Sequence, residues 1–137
     1  MVEETKDDVL HYAAYYDNQW GIEMEGTIPI DERIDVEYTG VFGKPITKFT
    51  MGGVEKYRVF TRKHKWSKFY TKFDKSNPAG DGTPILAIEV YDKNVTIGIH
   101  LKGGSWLPGK KGTFDGDPNT PTYAGSFSPI DAIWIDR

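Results

Sequence analysis

The chain has 137 residues, of which 38% are hydrophobic and 27% charged, a length and balance that predict one globular domain with a single core. This composition excludes disordered, collagen-like and coiled-coil proteins. Seventeen basic and 20 acidic residues give a formal charge of −3, so the strong positive field that nucleic-acid binding needs is missing.

The sequence also limits the possible chemistry, although it leaves the redox compartment open. It contains no cysteine, which excludes a disulfide framework, a thiolate metal site and a cysteine nucleophile. The first eight residues are polar and acidic, unlike a secretion signal. Because no apolar stretch approaches the roughly 18 residues of a membrane span, we expect no transmembrane segment.

One pattern recurs three times along the chain. A stretch of β-type residues ending in tryptophan is followed downstream by a glycine, then Pro-Ile, then alternating apolar residues. The tryptophan segments are His11 to Trp20, Tyr57 to Trp66 and Ile97 to Trp106, and the second segments begin at Gly40, Gly80 and Gly125. We therefore predict three repeats of about 45 residues, at approximately 9–53, 54–93 and 94–137.

The local pattern predicts strands throughout and no long helix, because Val, Ile, Thr and aromatic residues alternate in short runs bounded by turn residues. The fold predicted is a single all-β domain, residues 1–137, with approximate threefold symmetry. A β-prism is favoured, with a β-trefoil as the alternative. Hairpin loops are expected at 52–53 and 92–94, and the last strand is expected to pair with the first. The shared core should include Ile46, Phe49, Ile85, Ile88, Ile130 and Ile133.

The second repeat resembles a known family. Tyr57-Arg58-Val59, His64-Lys65-Trp66 and the stretch from Asn77 to Val90 are similar to the clostridial hydrophobic repeats with a tryptophan, or ChW repeats. Those run from a Tyr-x-x-His strand through Gly-Trp to Ala-Gly-Thr-x-Gly, whereas here Gln19, Lys65 and Ser105 precede the tryptophans. The resemblance implies a protein that acts at a cell surface or outside the cell and binds cell walls or surface glycans.

The third repeat resembles jacalin-related lectins, which are threefold β-prisms. Its segment from Phe127 to Ile133 is similar to the Gly-x-Tyr-Leu-Asp-Ala-Ile closing strand of that family, and Asp131 matches the aspartate that accepts hydrogen bonds from sugar hydroxyls. Thr47 and Leu86 stand at the corresponding places of the other repeats. The resemblance therefore implies a sugar ligand at Asp131 alone.

Two interpretations of the three repeated tryptophans stay open. An indole can stack on the apolar face of a sugar ring while nearby polar groups bind its hydroxyls. A tryptophan repeated by symmetry can equally be a corner residue of each unit. The candidate ligand residues are Gly103, Gly104, Ser105, Trp106, Phe127 and Asp131 in the third repeat, with Asp17 and Trp20 in the first and His64 and Trp66 in the second.

Other chemistries find less support. The loop from Phe114 to Asn119 carries oxygen ligands at alternate positions but lacks the later positions of a calcium loop, so we interpret it as a turn. The three histidines lack the spacing of a zinc site, and no Gly-x-Ser-x-Gly motif is present. The run of basic residues from Arg58 to Lys75 is interpreted as a solvated strand face.

These observations predict a non-catalytic, lectin-like module that binds a glycan or cell-wall polysaccharide and needs no cofactor or metal. The alternative is a protein- or membrane-surface interaction module, such as a toxin receptor-binding or structural assembly domain. Aromatic residues serve both roles, so the sequence separates them poorly. The sugar, the number of sites and the oligomeric state, a homo-oligomer included, stay open.

Overall fold

The computed structural model describes residues 10–25, 38–92, 95–107, 110–111 and 123–136. Every regular element in these ranges is a β-strand, and every strand pairing is antiparallel. The prediction of an all-β protein is confirmed. No described segment forms a helix of the length and apolar character that a bilayer crossing requires. The predicted turn at Phe114 to Asn119 lies outside the described residues.

The described residues form twelve strands. These are β1 (His11–Tyr16), β2 (Gln19–Trp20), β3 (Met24–Glu25), β4 (Thr39–Gly40), β5 (Lys48–Gly52), β6 (Lys56–Thr61), β7 (Lys65–Trp66), β8 (Ile85–Tyr91), β9 (Thr96–Leu101), β10 (Lys110–Lys111), β11 (Tyr123–Ala124) and β12 (Ile130–Asp136).

The strands form three open four-stranded sheets. In the first, β1 pairs with β5 on one edge and with β2 and β3 on the other. The second has the order β11-β8-β6-β7 and the third the order β10-β9-β12-β4. Each sheet is built around one pair of long strands, namely β1 with β5, β6 with β8, and β9 with β12.

Each long pair also receives a short segment from another part of the chain. Strand β4 pairs with β12, Ala79 forms a bridge with Phe49 of β5, and β11 pairs with β8. The three Pro-Ile positions meet as well. The amide of Ile46 donates to the carbonyl of Ile130, and the amide of Ile85 donates to the carbonyl of Ile46, both at 2.8 Å. The sheets are therefore joined by backbone hydrogen bonds as well as by packing.

Glycine is required where these segments cross. Gly40, Gly80 and Gly125 have φ values of 115°, 116° and 124°, which side chains rarely adopt. A Cβ atom at each would overlap a backbone carbonyl oxygen of the neighbouring strand. The glycine that the sequence pattern places before each Pro-Ile pair thus permits close backbone approach.

The predicted core is confirmed, whereas the predicted hairpins are wrong. All six core residues named from the sequence are fully buried in one hydrophobic cluster that draws on all three sheets. Strands β5 and β8, however, do not pair with the strands that follow them, and β12 pairs with β9 rather than with β1. The chain therefore passes from one sheet to another between β5 and β6 and again between β8 and β9. Each long pair instead joins two strands of the same predicted repeat.

Candidate functional site

The predicted site in the third repeat is only partly accessible. Gly103, Gly104 and Ser105 form an exposed turn after β9, with Gly103 at φ 74°. Trp106 follows them, is half-buried and forms a bridge with His100. The turn is therefore exposed, with the half-buried Trp106 next to it in the chain.

Asp131 does not lie on that surface. Its side chain is fully buried, with Oδ1 2.6 Å from His100 Nδ1 and Oδ2 accepting a 2.7 Å hydrogen bond from the amide of Gly43. Both oxygens are thus satisfied within the protein. The register of β12 against β9 shifts between Ile130 and Ala132, so Asp131 occupies a bulge, and bulges re-aim side chains. The sequence predicts that Asp131 accepts hydrogen bonds from a sugar, whereas in this structure its carboxylate is buried and both oxygens have partners within the protein.

Aromatic rings cover the buried pair. The ring of Phe42 stacks on His100 with centroids 3.9 Å apart, and Tyr38 stacks on Phe42 at 5.2 Å. Trp106 meets His100 edge-on at 5.2 Å. Because this aromatic cover excludes water, it favours the hydrogen bond beneath it.

The three repeated tryptophans share one packing geometry. Trp20 lies edge-on to Tyr15, Trp66 to Phe60 and Trp106 to His100, with centroids 5.2 to 5.4 Å apart and an interplanar angle of 74° in each pair. All three indoles are half-buried. This geometry favours the interpretation as corner residues, since each ring is engaged by its neighbouring strand.

Phe127 and Asp17 lie in strained or tight turns. Phe127 has φ 63°, is 40% exposed and packs edge-on against Phe60 at 4.9 Å.

Asp17 and Asn18 both have positive φ and form the two-residue turn between β1 and β2. The Asp17 carboxylate pairs with Lys44 Nζ at 2.6 Å on the open surface. The structure does not bring Asp17 together with the third-repeat residues in any described contact.

The second predicted repeat, residues 54–93, contains a cleft, and His64 is the lining residue that the sequence analysis had named. Its volume is about 200 Å³, and it lies beside the turn that joins β6 to β7. The polar side chains that line it are Thr61, His64, Lys65, Ser67, Tyr70 and Asp81. Trp66 stands between Lys65 and Ser67 in the sequence but does not line the cleft. Its ring packs against Phe60 and Tyr123.

Asp81 organises this cleft. Its Oδ2 accepts hydrogen bonds from Thr61 Oγ1 at 2.8 Å and interacts with His64 Nδ1 at 2.6 Å. Its Oδ1 accepts from the amide of Thr83 at 2.9 Å and from the Thr83 hydroxyl. Burial raises the pKa of Asp81, but the hydrogen bonds from Thr83, His64 and Thr61 outweigh it and hold the pKa well below its usual range. The carboxylate is therefore ionised at neutral pH.

An ionised Asp81 fixes how His64 can act. A carboxylate only accepts hydrogen bonds, so Nδ1 of His64 carries the proton in this pair. The Nε2 atom is then left for another partner. The His64 side chain is 61% exposed, whereas Asp81 is 14% exposed, so the imidazole is the accessible member of the pair. It is an oriented polar group at the surface of the cleft.

Sequence reasoning missed Asp81, although a local signal existed. The stretch Gly80-Asp81-Gly82-Thr83 is typical of a turn in which an aspartate bonds the amide two residues later, and that bond is present. The partners Thr61 and His64 lie 20 and 17 residues away. They join Asp81 only through the pairing of β6 with β8, which no local pattern reveals.

Neither similarity to known proteins nor a metal site identifies the function of this protein. No family model, no curated protein and no solved structure matches the chain. The likeness to ChW repeats and jacalin-related lectins therefore stays a prediction. Within the described ranges, no group of three or more metal-ligating side chains is positioned to hold a metal ion.

Proposed function

We propose that this protein is a non-catalytic, lectin-like module that binds glycans of cell surfaces or cell walls, with its site in the cleft at His64 and Asp81. The observation that carries the proposal is the convergence of oriented polar groups in an open cleft of about 200 Å³. Ligand pockets for larger molecules span about 300 to 1,000 Å³, so a cleft of this size suits one sugar ring.

The groups in the cleft match the chemistry of a sugar. His64 Nε2 and the Lys65 ammonium can bind hydroxyls, and Tyr70 supplies a half-buried ring. Tyr70 is held in place by stacking on the buried ring of Tyr57, with centroids 5.8 Å apart. Rigid support of this kind reduces the entropy that binding would otherwise cost.

Backbone strain also lies in this cleft. Lys65 has φ 60°, an uncommon conformation for a long side chain that costs about 1 to 2 kcal/mol. Strained residues of this kind gather at ligand sites, because the surrounding structure holds them in place for a purpose other than stability. The position of Lys65 supports a functional cleft.

The fold proposed for this module is a β-prism of three repeats in one domain, residues 1–137. Support comes from the pairings, because each long strand pair receives a short segment from another predicted repeat in cyclic order. The meeting of Ile46, Ile85 and Ile130 through backbone hydrogen bonds supports an axis at that point. The resemblances to ChW repeats and jacalin-related lectins favour the same fold and function.

A protein- or membrane-surface interaction module is the second candidate. The observation that favours it is the exposure of neighbouring apolar side chains at Val41 and Phe42, 40% and 49% respectively. Exposed aromatic groups of this kind mark some interaction surfaces. Phe42, however, stacks on His100 and so contributes to packing as well.

A glycan array that includes peptidoglycan fragments and cell-wall polysaccharides tests the proposal, followed by calorimetric titration of the tightest-binding glycan. We expect His64→Ala to weaken the binding of that glycan at least tenfold, because the hydrogen bond from the oriented imidazole is lost. Lys72→Ala, an exposed residue of the same basic run, is the matched control and should bind as the wild type.

Two results would overturn the proposal. Either no glycan on the array binds the wild type, or His64→Ala binds with unchanged affinity. If Trp106→Ala remains folded and loses binding while His64→Ala does not, the glycan site is the third-repeat turn, and the cleft is structural.

A further inference from the structure

A second, larger cleft is lined in part by Arg62 and Lys63, which precede His64 in the chain. Its volume is about 480 Å³, and its lining includes Arg62, Lys63 and Thr83. The two clefts meet at one structural link, because Thr83 lines the larger cleft while its amide donates to Asp81 in the smaller one. The two clefts are therefore neighbours, connected through Thr83 and Asp81.

The larger cleft has an apolar floor and a cationic rim. Pro84, Leu86 and Pro129 supply the floor, whereas Arg62 and Lys63 are exposed above it. Apolar contact with a cation at its side suits a ring that carries both a C–H face and a negative charge.

The rim cations have no internal partner within the described part of the chain. Neither Arg62 nor Lys63 forms an ion pair there, in contrast to Arg58, which binds Glu89 at 2.7 Å, and Lys75, which lies 3.8 Å from Glu23. Their charge is thus available to a ligand.

The surrounding charge favours an anion as well. The second predicted repeat, residues 54–93, contains nine basic and five acidic residues and so carries a formal charge of +4, although the whole chain carries −3. The rest of the chain is therefore at −7, and the excess of positive charge lies in the predicted repeat that supplies most residues of both clefts. This asymmetry directs an anionic ligand to this repeat.

We propose that the larger cleft binds the carboxylate of an acidic glycan whose neighbouring sugar ring occupies the His64 cleft. This inference rests on the proposed function and narrows it to one class of ligand. The Arg62 guanidinium presents a planar fork that matches a carboxylate, Lys63 adds a point charge, and the floor contacts the apolar face of the same sugar.

Paired probes that differ only in ionised carboxylates test the inference. These are 3′-sialyllactose with its methyl ester, which removes one negative charge, and trigalacturonic acid with its trimethyl ester, which removes three, titrated into the wild type, Arg62→Gln, Lys63→Gln and Lys72→Gln. We expect the wild type to prefer the acid of at least one pair by tenfold or more. Arg62→Gln should remove most of that preference, Lys63→Gln part of it, and Lys72→Gln, which lies outside the cleft, almost none.

The outcomes separate the two proposals. If glycans bind but acid and neutral probes bind equally, or if sulfated array glycans bind while both carboxylated probes fail, the carboxylate site is wrong and the lectin proposal stands. A preference reduced equally by all three substitutions would come from the general field and would also overturn the site. Absence of binding to any glycan overturns both proposals.

Discussion

Two histidine–aspartate pairs in this protein have the same distance between nitrogen and oxygen, but one pair is buried and the histidine of the other is exposed. His100–Asp131 and His64–Asp81 both join Nδ1 to a carboxylate oxygen at 2.6 Å. The first pair is 9% and 0% exposed and lies under Phe42, whereas His64 is 61% exposed in an open cleft. The same pair of residues is thus part of the packed interior in one place and leaves an oriented, accessible imidazole in the other. Exposure, rather than residue type, separates the two roles.

The largest loss of stability is expected when the glycine next to each pair is replaced by alanine. Gly40→Ala would push a Cβ into the backbone of Asp131, and Gly80→Ala would push one into Thr47, so neither region can absorb the change. We expect each to cost more than about 3 kcal/mol, because the contact is with backbone and φ is positive. Denaturant unfolding measures this.

Gly43→Ala and Gly82→Ala are the matched controls for those glycines. Both positions also have positive φ, but nothing lies within 4 Å of the added Cβ. They should cost only about 1 to 2 kcal/mol from backbone strain. Equal losses at all four glycines would show that strain, not close strand approach, decides their stability.

The buried His100–Asp131 pair should contribute to stability and not to glycan affinity. Asp131→Ala leaves His100 Nδ1 and the Gly43 amide without their partner, and we expect a loss of about 3 to 5 kcal/mol in the free energy of unfolding. Asp131→Asn keeps the volume and one acceptor, so its loss should be smaller. In titrations with folded protein, glycan affinity should not change. A folded Asp131→Asn variant that loses affinity would restore Asp131 as a ligand residue.

The contribution of Asp81, in the exposed pair, to the free energy of unfolding should decrease in acid. The folded pKa of Asp81 lies below the unfolded value of about 3.9, so the stabilisation is present above about pH 4 and is lost as the pH falls further. Asp81→Asn should therefore cost about 2 kcal/mol at pH 7 and much less near pH 2. Unfolding free energies measured across pH 2 to 7 test this, with Asp17→Asn as the exposed control.

The smallest effect is expected at Asp17 itself. Its ion pair with Lys44 is about half exposed on both sides, and such pairs contribute little in water. Asparagine also tolerates the positive φ of this turn. Asp17→Asn should change the unfolding free energy by less than about 0.5 kcal/mol and leave glycan affinity unchanged. A tenfold loss of affinity would place a ligand at the first repeat, as the sequence proposed.

The sequence predicted the parts of this structure that depend on local patterns. The alternation around Ile85 and Ile130 identified buried strands, because one face of each strand must leave water. Strand partners could not be predicted in this way, since the pairing of β9 with β12 spans more than 20 residues of intervening chain. Asp131 was named as a ligand residue through the resemblance to jacalin-related lectins. A short motif does not reveal that His100 and the amide of Gly43, both distant in sequence, occupy its two carboxylate oxygens.

The hydrogen bond from Ile46 to Ile130 also has a consequence for synthesis of the chain. A ribosome adds about 5 to 20 residues per second, so the acceptor at Ile130 is made roughly 4 to 17 seconds after its donor. During that interval β4 has no edge to join, because its partner β12 has not been translated. The first part of the chain must therefore wait, with apolar strands incompletely covered, until the last strand emerges. Any factor that protects such nascent strands should increase the yield of folded protein.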